Sequence, residues 1–208
     1  IYKGIDVSHH NGVIDWEKVK KSGIDFVLIR AGYGKLITQK DNQFENNYAG
    51  CKKNEIPCGV YWYSYAKSAD EAVEEAKVCI EILKNKQFDY PILFDIEEKS
   101  QSSLGKSLCS EICKAFCNYL EQNGYFAGIY TFDSFADTNI SEDVKNRYTM
   151  AVARIGSEPK HSHYDIWQYS WKGKIDGING DVDLDYRYYK KALKVSDEIK
   201  VGSTELST

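Results

Sequence analysis

Apolar runs of strand length alternate with stretches of helical length through the first two-thirds of this chain, and that rhythm limits the possible folds more than any other feature. Lys3–Val7 precedes a helix over Asp15–Lys21, and Asp25–Ala31 precedes one over Asp41–Lys53. Cys58–Tyr65 leads into Ala69–Lys86, Tyr90–Ile96 into Ser103–Asn123, and Phe126–Phe132 opens a fifth unit. Parallel strands linked by helices are the usual outcome of such alternation. With 208 residues, 42% of them hydrophobic, the chain is sized for one domain with a sizeable core.

Beyond the fifth unit the spacing tightens. Thr149–Ile155, Asp165–Ser170 and Asp181–Tyr186 read as strands, separated by only about nine or ten residues where a parallel crossover needs a dozen or more. Hairpin-like connections are expected, and two successive reversals would return the last strand to the direction of Thr149–Ile155. The expected fold is α/β, a modified TIM-like barrel of five β/α units followed by three strands, shorter than the ~250 residues of a complete barrel. Residues 1–193 are assigned to the barrel. Residues 194–208, polar and aperiodic, are assigned to a C-terminal tail or linker.

Pro91–Glu98, PILFDIEE, runs an apolar strand straight into two acids. Alternation puts Asp95 and Glu97 on one face, about 6–7 Å apart along the strand. Two carboxylates forced together at the end of a buried strand are costly for stability and suited to acid chemistry. Barrel enzymes work at the C-terminal ends of their strands. Asp6 lies near the end of the first strand, and Asp183 lies on the last, which closes the barrel beside the first. Each acid alone has an ordinary alternative as a turn former or helix cap. Their convergence on one mouth points to a hydrolytic site.

The segments GIDVSHHNGVIDW, FVLIRAGYG, GVYWYSYA, PILFDIE, AGIYTF, YDIWQYS and VDLDY, in this order from Gly4 to Tyr186, together resemble glycoside hydrolase family 25, the Chalaropsis-type lysozymes. The resemblance implies a barrel of five β/α units and three further strands, and hydrolysis of the β-1,4 bond between N-acetylmuramic acid and N-acetylglucosamine in peptidoglycan. It also implies Glu97 as general acid, with a raised pKa, and Asp95 as the residue that orients the substrate's 2-acetamido group. Asp6 and Asp183 would tune charge, bind substrate or hold water. The implied setting is secreted or cell-wall associated, a phage endolysin included.

Sixteen tyrosines and four tryptophans against one methionine suit a ligand with flat apolar faces and hydroxyl rims. Tyr33, Tyr61, Tyr63, Tyr130 and Trp167 lie near strand ends and are candidate sugar contacts, with core packing the alternative for each. Parity places Tyr61 and Tyr63 inward and Trp62 toward the helices. Arg30 is a candidate to hold substrate or pair with a site carboxylate, a structural ion pair being the alternative. His9 and His10 are adjacent and point apart on an extended segment, so they favour a loop role over chelation; His161 and His163 share a face in a polar loop. No metal or other cofactor is expected. Cys109, Cys113 and Cys117 form one helical stripe of small buried residues, and Cys51 and Cys58 are near enough in sequence to meet.

A net charge of −4 gives no electrostatic case for nucleic acid or an anionic membrane, and no apolar run reaches the ~20 residues of a membrane span. The expected partner is the peptidoglycan glycan strand, bound by a monomer. Two alternatives stay open: a catalytically silent glycan-binding barrel, and a glycosidase acting on chitin-like polymers.

Overall fold

In the computed structural model, which describes residues 1–160, 163–188 and 193, eight strands close into one barrel in sequence order. They are β1 (Tyr2–Val7), β2 (Phe26–Tyr33), β3 (Cys58–Tyr63), β4 (Ile92–Asp95), β5 (Ala127–Phe132), β6 (Thr149–Ala153), β7 (Ile166–Gly173) and β8 (Val182–Arg187). Helices occupy every connection as far as β6: α1 (Trp16–Lys21), α2 (Phe44–Lys53), α3 (Ala69–Leu83), α4 (Lys99–Ser102), α5 (Lys106–Gln122), α6 (Asp133–Asn139) and α7 (Glu142–Arg147). Asp15 and Ser68 start α1 and α3 by accepting the backbone N–H of Lys18 and Glu71, the capping role these residue types favour. The stripe Cys109, Ile112, Cys113, Phe116, Cys117 and Leu120 is buried along α5, as a 3.6-residue period requires. All six cysteines are free and buried, and the neighbouring Cys58, with burial, pushes the Cys51 thiol up.

Strand alternation divides the core into two layers. Phe26, Leu28, Leu93, Ala151 and Ile166 pack with Tyr90 inside the barrel. The residues between them in sequence, such as Val27, Ile29, Val60, Trp62, Phe94 and Ile129, pack outward with the helices. Gly4 permits the inner layer to form: a Cβ there would lie 2.2 Å from the Phe26 ring. Phe26 uses that space to stack on Tyr90, with ring centroids 4.6 Å apart. Burying a side chain of this kind contributes about 1.5–3 kcal/mol, so a side chain at position 4 would displace one of the layer's main apolar groups.

The final connections differ from the sequence expectation. β6 and β7 are parallel, and one reversal, not two, leaves β8 antiparallel to both β7 and β1. The cause is where the strands stop. β6 ends at Ala153 and β7 begins at Ile166, so residues 154–165 give the dozen positions a parallel crossover needs. The outer face of β7 and β8 carries its own aromatic cover: Tyr169 stacks on Tyr186 with ring centroids 4.0 Å apart, and Trp167 meets Tyr186 at 6.0 Å. The tail assigned to 194–208, and His161, lie outside the described residues.

Candidate active site

The C-terminal ends of β1 to β7 open on one face of the barrel, and the start of the reversed β8 lies beside them. A cavity of about 330 Å³ sits there, lined by Asp6, Asp95, Glu97 and Asp183 with Arg30, Tyr61, Tyr63 and Tyr130. Ser8, His10, Asn11, Leu28, Leu93, Gln168 and Asp181 complete its wall. Asp183 reaches this mouth because β8 runs backwards. As the second residue of β8 it pairs in register with Asp6, near the end of β1. A parallel β8 would have presented its other end.

Asp95 is the last residue of β4 and is 3% exposed; Glu97 lies two residues beyond the strand. Their carboxyl groups hydrogen-bond to each other. Asp95 Oδ1 receives no N–H or O–H from the described residues. Burial, then the charge of Glu97, holds the Asp95 carboxyl well above the usual carboxylate range. Glu97 is raised as well, first by burial, while the hydrogen bond from Asp95 favours its charged form. Arg30 pulls both down. Two close carboxyls of this kind titrate as a pair, and the deeper Asp95 has the stronger claim to a shared proton.

A second group of acids faces this pair. Asp6, Asp183 and Asp185 hydrogen-bond through their carboxyls. Burial is the first cause of the raised pKa of each; Asp6 lies well above its ordinary value, and Asp185, 2% exposed, is pushed up to about 8. Gln168 anchors the group, its Nε2 donating to Asp6 Oδ2 at 2.6 Å and to Asp183 Oδ2 at 3.4 Å. Its Oε1 accepts from Tyr130 Oη at 2.7 Å and Trp171 Nε1 at 2.9 Å. An indole nitrogen can only donate, so Trp171 fixes which end of the amide is oxygen. Gln168 and Asp185 are absent from the sequence expectation. The parity that paired Asp95 with Glu97 also pairs Asp183 with Asp185, and it puts Gln168 on the opposite face from Trp167.

The aromatic candidates divide. Tyr61, Tyr63 and Tyr130 line the cavity, and Trp62 is buried in the outer layer with its Nε1 donating to Gly34 O at 3.0 Å. Tyr63 Oη donates to Glu98, a third acid beside the pair. Tyr33 is set back at the rim, edge-on to Tyr65 at 6.1 Å, where a register shift between Arg30 and Gly32 interrupts β2. Trp167 does not line the cavity. It faces outward from β7 and donates to Arg154 O at 2.8 Å, because the inward positions of that strand belong to Ile166 and Gln168. The Arg30 guanidinium lies over the rings of Tyr33 (5.1 Å) and Tyr63 (5.6 Å), a cation–π placement. His9 bonds Asp41 through Nδ1 at 2.8 Å and His10 lines the cavity wall.

The family model of glycosyl hydrolases family 25 matches residues 5–178. The chain belongs to that family. Among its relatives, the autolytic lysozyme of Clostridium acetobutylicum is 30% identical over 206 residues, 97% of this chain and 58% of that protein. Lysozyme M1 of Streptomyces globisporus is 26% identical over 196 residues, 87% of this chain and 66% of that one. Among solved structures, the modular autolysin LytC of Streptococcus pneumoniae aligns with a TM-score of 0.80 at 29% identity, covering 90% of this chain and 46% of LytC. The bacterial lysozyme of Streptomyces coelicolor aligns at 0.68 and 25%, covering 89% and 91%. This family 25 chain therefore spans about half the length of the autolytic lysozyme and of LytC.

Proposed function

We propose that residues 1–193 hydrolyse the β-1,4 bond between N-acetylmuramic acid and N-acetylglucosamine in bacterial peptidoglycan, with Glu97 as proton donor and Asp95 assisting the substrate's 2-acetamido group. The observation that carries the proposal is the placement of these two carboxyls together in the cavity, Asp95 ending β4 and Glu97 two residues on, each perturbing the other. A retaining pair with a carboxylate nucleophile stands about 5–5.5 Å apart, and an inverting pair about 6.5–9.5 Å apart. Carboxyls close enough to share a proton cannot flank a sugar ring from opposite faces. They suit one donor and one helper on the same side of the bond. The family assignment and the names of the relatives support the same substrate, as does the LytC structure with a synthetic peptidoglycan ligand.

The proton inventory then closes. An acetamide N–H arriving at Asp95 favours its carboxylate, so Asp95 passes its proton along the shared hydrogen bond to Glu97. The acetamide oxygen attacks the anomeric carbon as Glu97 protonates the departing glycosidic oxygen. Asp95, now ionised, stabilises the positive charge on the cyclised acetamide. Water activated by the Glu97 carboxylate opens that ring and restores the proton. A substrate of this kind puts the domain's work at the cell wall, and we carry forward the expectation of a secreted enzyme or phage endolysin acting as a monomer.

The test is clearing of purified cell walls by wild type and Glu97→Gln, followed by mass analysis of the fragments. Clearing by wild type alone, with products ending in reducing muramic acid, is the expected result. Products ending in reducing glucosamine, or wall binding without cleavage by wild type, would overturn it.

A further inference from the structure

Trp171 is 47% exposed beside the mouth, yet it is held in place. Its Nε1 donates to Gln168 Oε1 at 2.9 Å, and its ring meets Phe132 edge-on at 6.2 Å. Phe132 in turn lines a second cavity of about 460 Å³ with Asp133, Ser134, Asp137, Arg154 and Lys160. This cavity lies at the C-terminal ends of β5 and β6, which run parallel to β4, so it opens on the same face as Asp95 and Glu97. Its wall is ordered by Asp133, which takes Arg154 Nη1 at 2.8 Å and the Lys160 backbone N–H at 3.2 Å. The proton transfers described above use none of these residues.

We propose that Trp171 and Phe132 form a separate pyranose-stacking subsite, for a sugar of the glycan strand lying beyond the two that flank the broken bond. The proposal rests on the first cavity being the cleavage site. An aromatic ring fixed by hydrogen bonding loses little freedom when a sugar settles on it, and it offers an apolar face to the ring's C–H groups. Charged and hydroxyl groups along the second cavity meet the hydroxyl rim. Continuity with the cleavage site is direct, because Gln168 joins Trp171 to Asp6 and Asp183. Tyr130 also donates to Gln168 Oε1, so the amide keeps one partner on that side when the indole N–H is lost.

The subsite is tested with soluble peptidoglycan glycan fragments of increasing length, comparing wild type, Trp171→Ala and Trp171→Phe. For Trp171→Ala the expected result is a KM raised about tenfold on long fragments and unchanged on the shortest cleavable one, any fall in kcat through the lost N–H to Gln168 being the same at every length. Trp171→Phe should restore part of the long-fragment KM and none of the kcat, since it keeps a ring against Phe132 but loses the N–H to Gln168. A KM raised equally on all lengths, or no rescue of it by phenylalanine, would overturn the subsite. Binding of the longest fragment to Glu97→Gln, followed by tryptophan fluorescence with and without Trp171→Ala, separates the two readings. Binding that weakens with Trp171→Ala while wild type cleaves nothing would keep the subsite and remove the reaction. Binding indifferent to Trp171 would remove the subsite whatever the reaction.

Discussion

The mouth of the barrel holds two groups of buried acids, and they are supported in opposite ways. Asp6, Asp183 and Asp185 bond among themselves and to a neutral amide, Gln168, whose own oxygen is held by two donors. Asp95 and Glu97 have each other, with Arg30 as the nearby cation lowering both. The first group is locked by neutral hydrogen bonds and has little reason to release its protons during a reaction. The second holds one proton on a single movable bond. Burial raises carboxyl pKa values in both; the surrounding donors separate a fixed acidic wall from a pair able to exchange a proton.

The sharpest way to break this contrast is Glu97→Gln, which removes the donor and keeps the shape. Activity on cell walls should fall by about 10²–10⁴-fold with the thermal transition unchanged, measured by release of reducing ends. Asp95→Asn follows, with a loss of about a hundredfold. Asparagine carries no negative charge to hold the proton on Glu97 once substrate is bound, so the alkaline limb of the residual pH profile should move to lower pH. Gln168→Leu tests the fixed wall: kcat should drop about tenfold with the fold retained, checked by steady-state kinetics beside a circular dichroism melt.

Asp185→Asn has the smallest effect and reads on stability. Asp185 titrates at about 8 in the fold and near 3.9 when unfolded. Between those values the folded state binds more protons, so this group's contribution to stability is full at low pH and is lost as pH rises toward 8. Asparagine cannot lose that proton. The variant should melt roughly 2–4 °C higher than wild type at pH 8, the shift about 1 kcal/mol produces in a domain of this size, with little difference at pH 4.

Much of this arrangement was legible in the sequence, and the misses have local causes. PILFDIEE announced the Asp95–Glu97 pair because an apolar run ending in two acids leaves little doubt about parity. GVYWYSYA was equally clear, and Tyr61, Trp62 and Tyr63 face as alternation requires. The expected directions of β7 and β8 differ from the observed ones because strand ends set two residues late at Ile155 and one early at Asp165 shorten a crossover below its workable length. Asp183 nevertheless arrived at the mouth, by reversal of the strand. Trp167 was chosen for its chemistry over its parity, which assigns the inward position to Gln168. Asp185, absent from the expectation, shares the alternation that brings in Asp183. Tyr33 could not be placed, because the irregularity between Arg30 and Gly32 has no marker in FVLIRAGYG beyond two glycines.

The most direct test of the contrast between the two groups is a carbon-13 NMR titration of the carboxyl groups in wild type and Asp95→Asn. Glu97 should titrate above the ordinary glutamate value of about 4.3 in wild type, with Asp95 and Glu97 each registering the other's step, and in a single step in the variant, while Asp6, Asp183 and Asp185 keep their profiles. A Glu97 that titrates at the ordinary value, or is indifferent to Asp95, would contradict a proton shared between them.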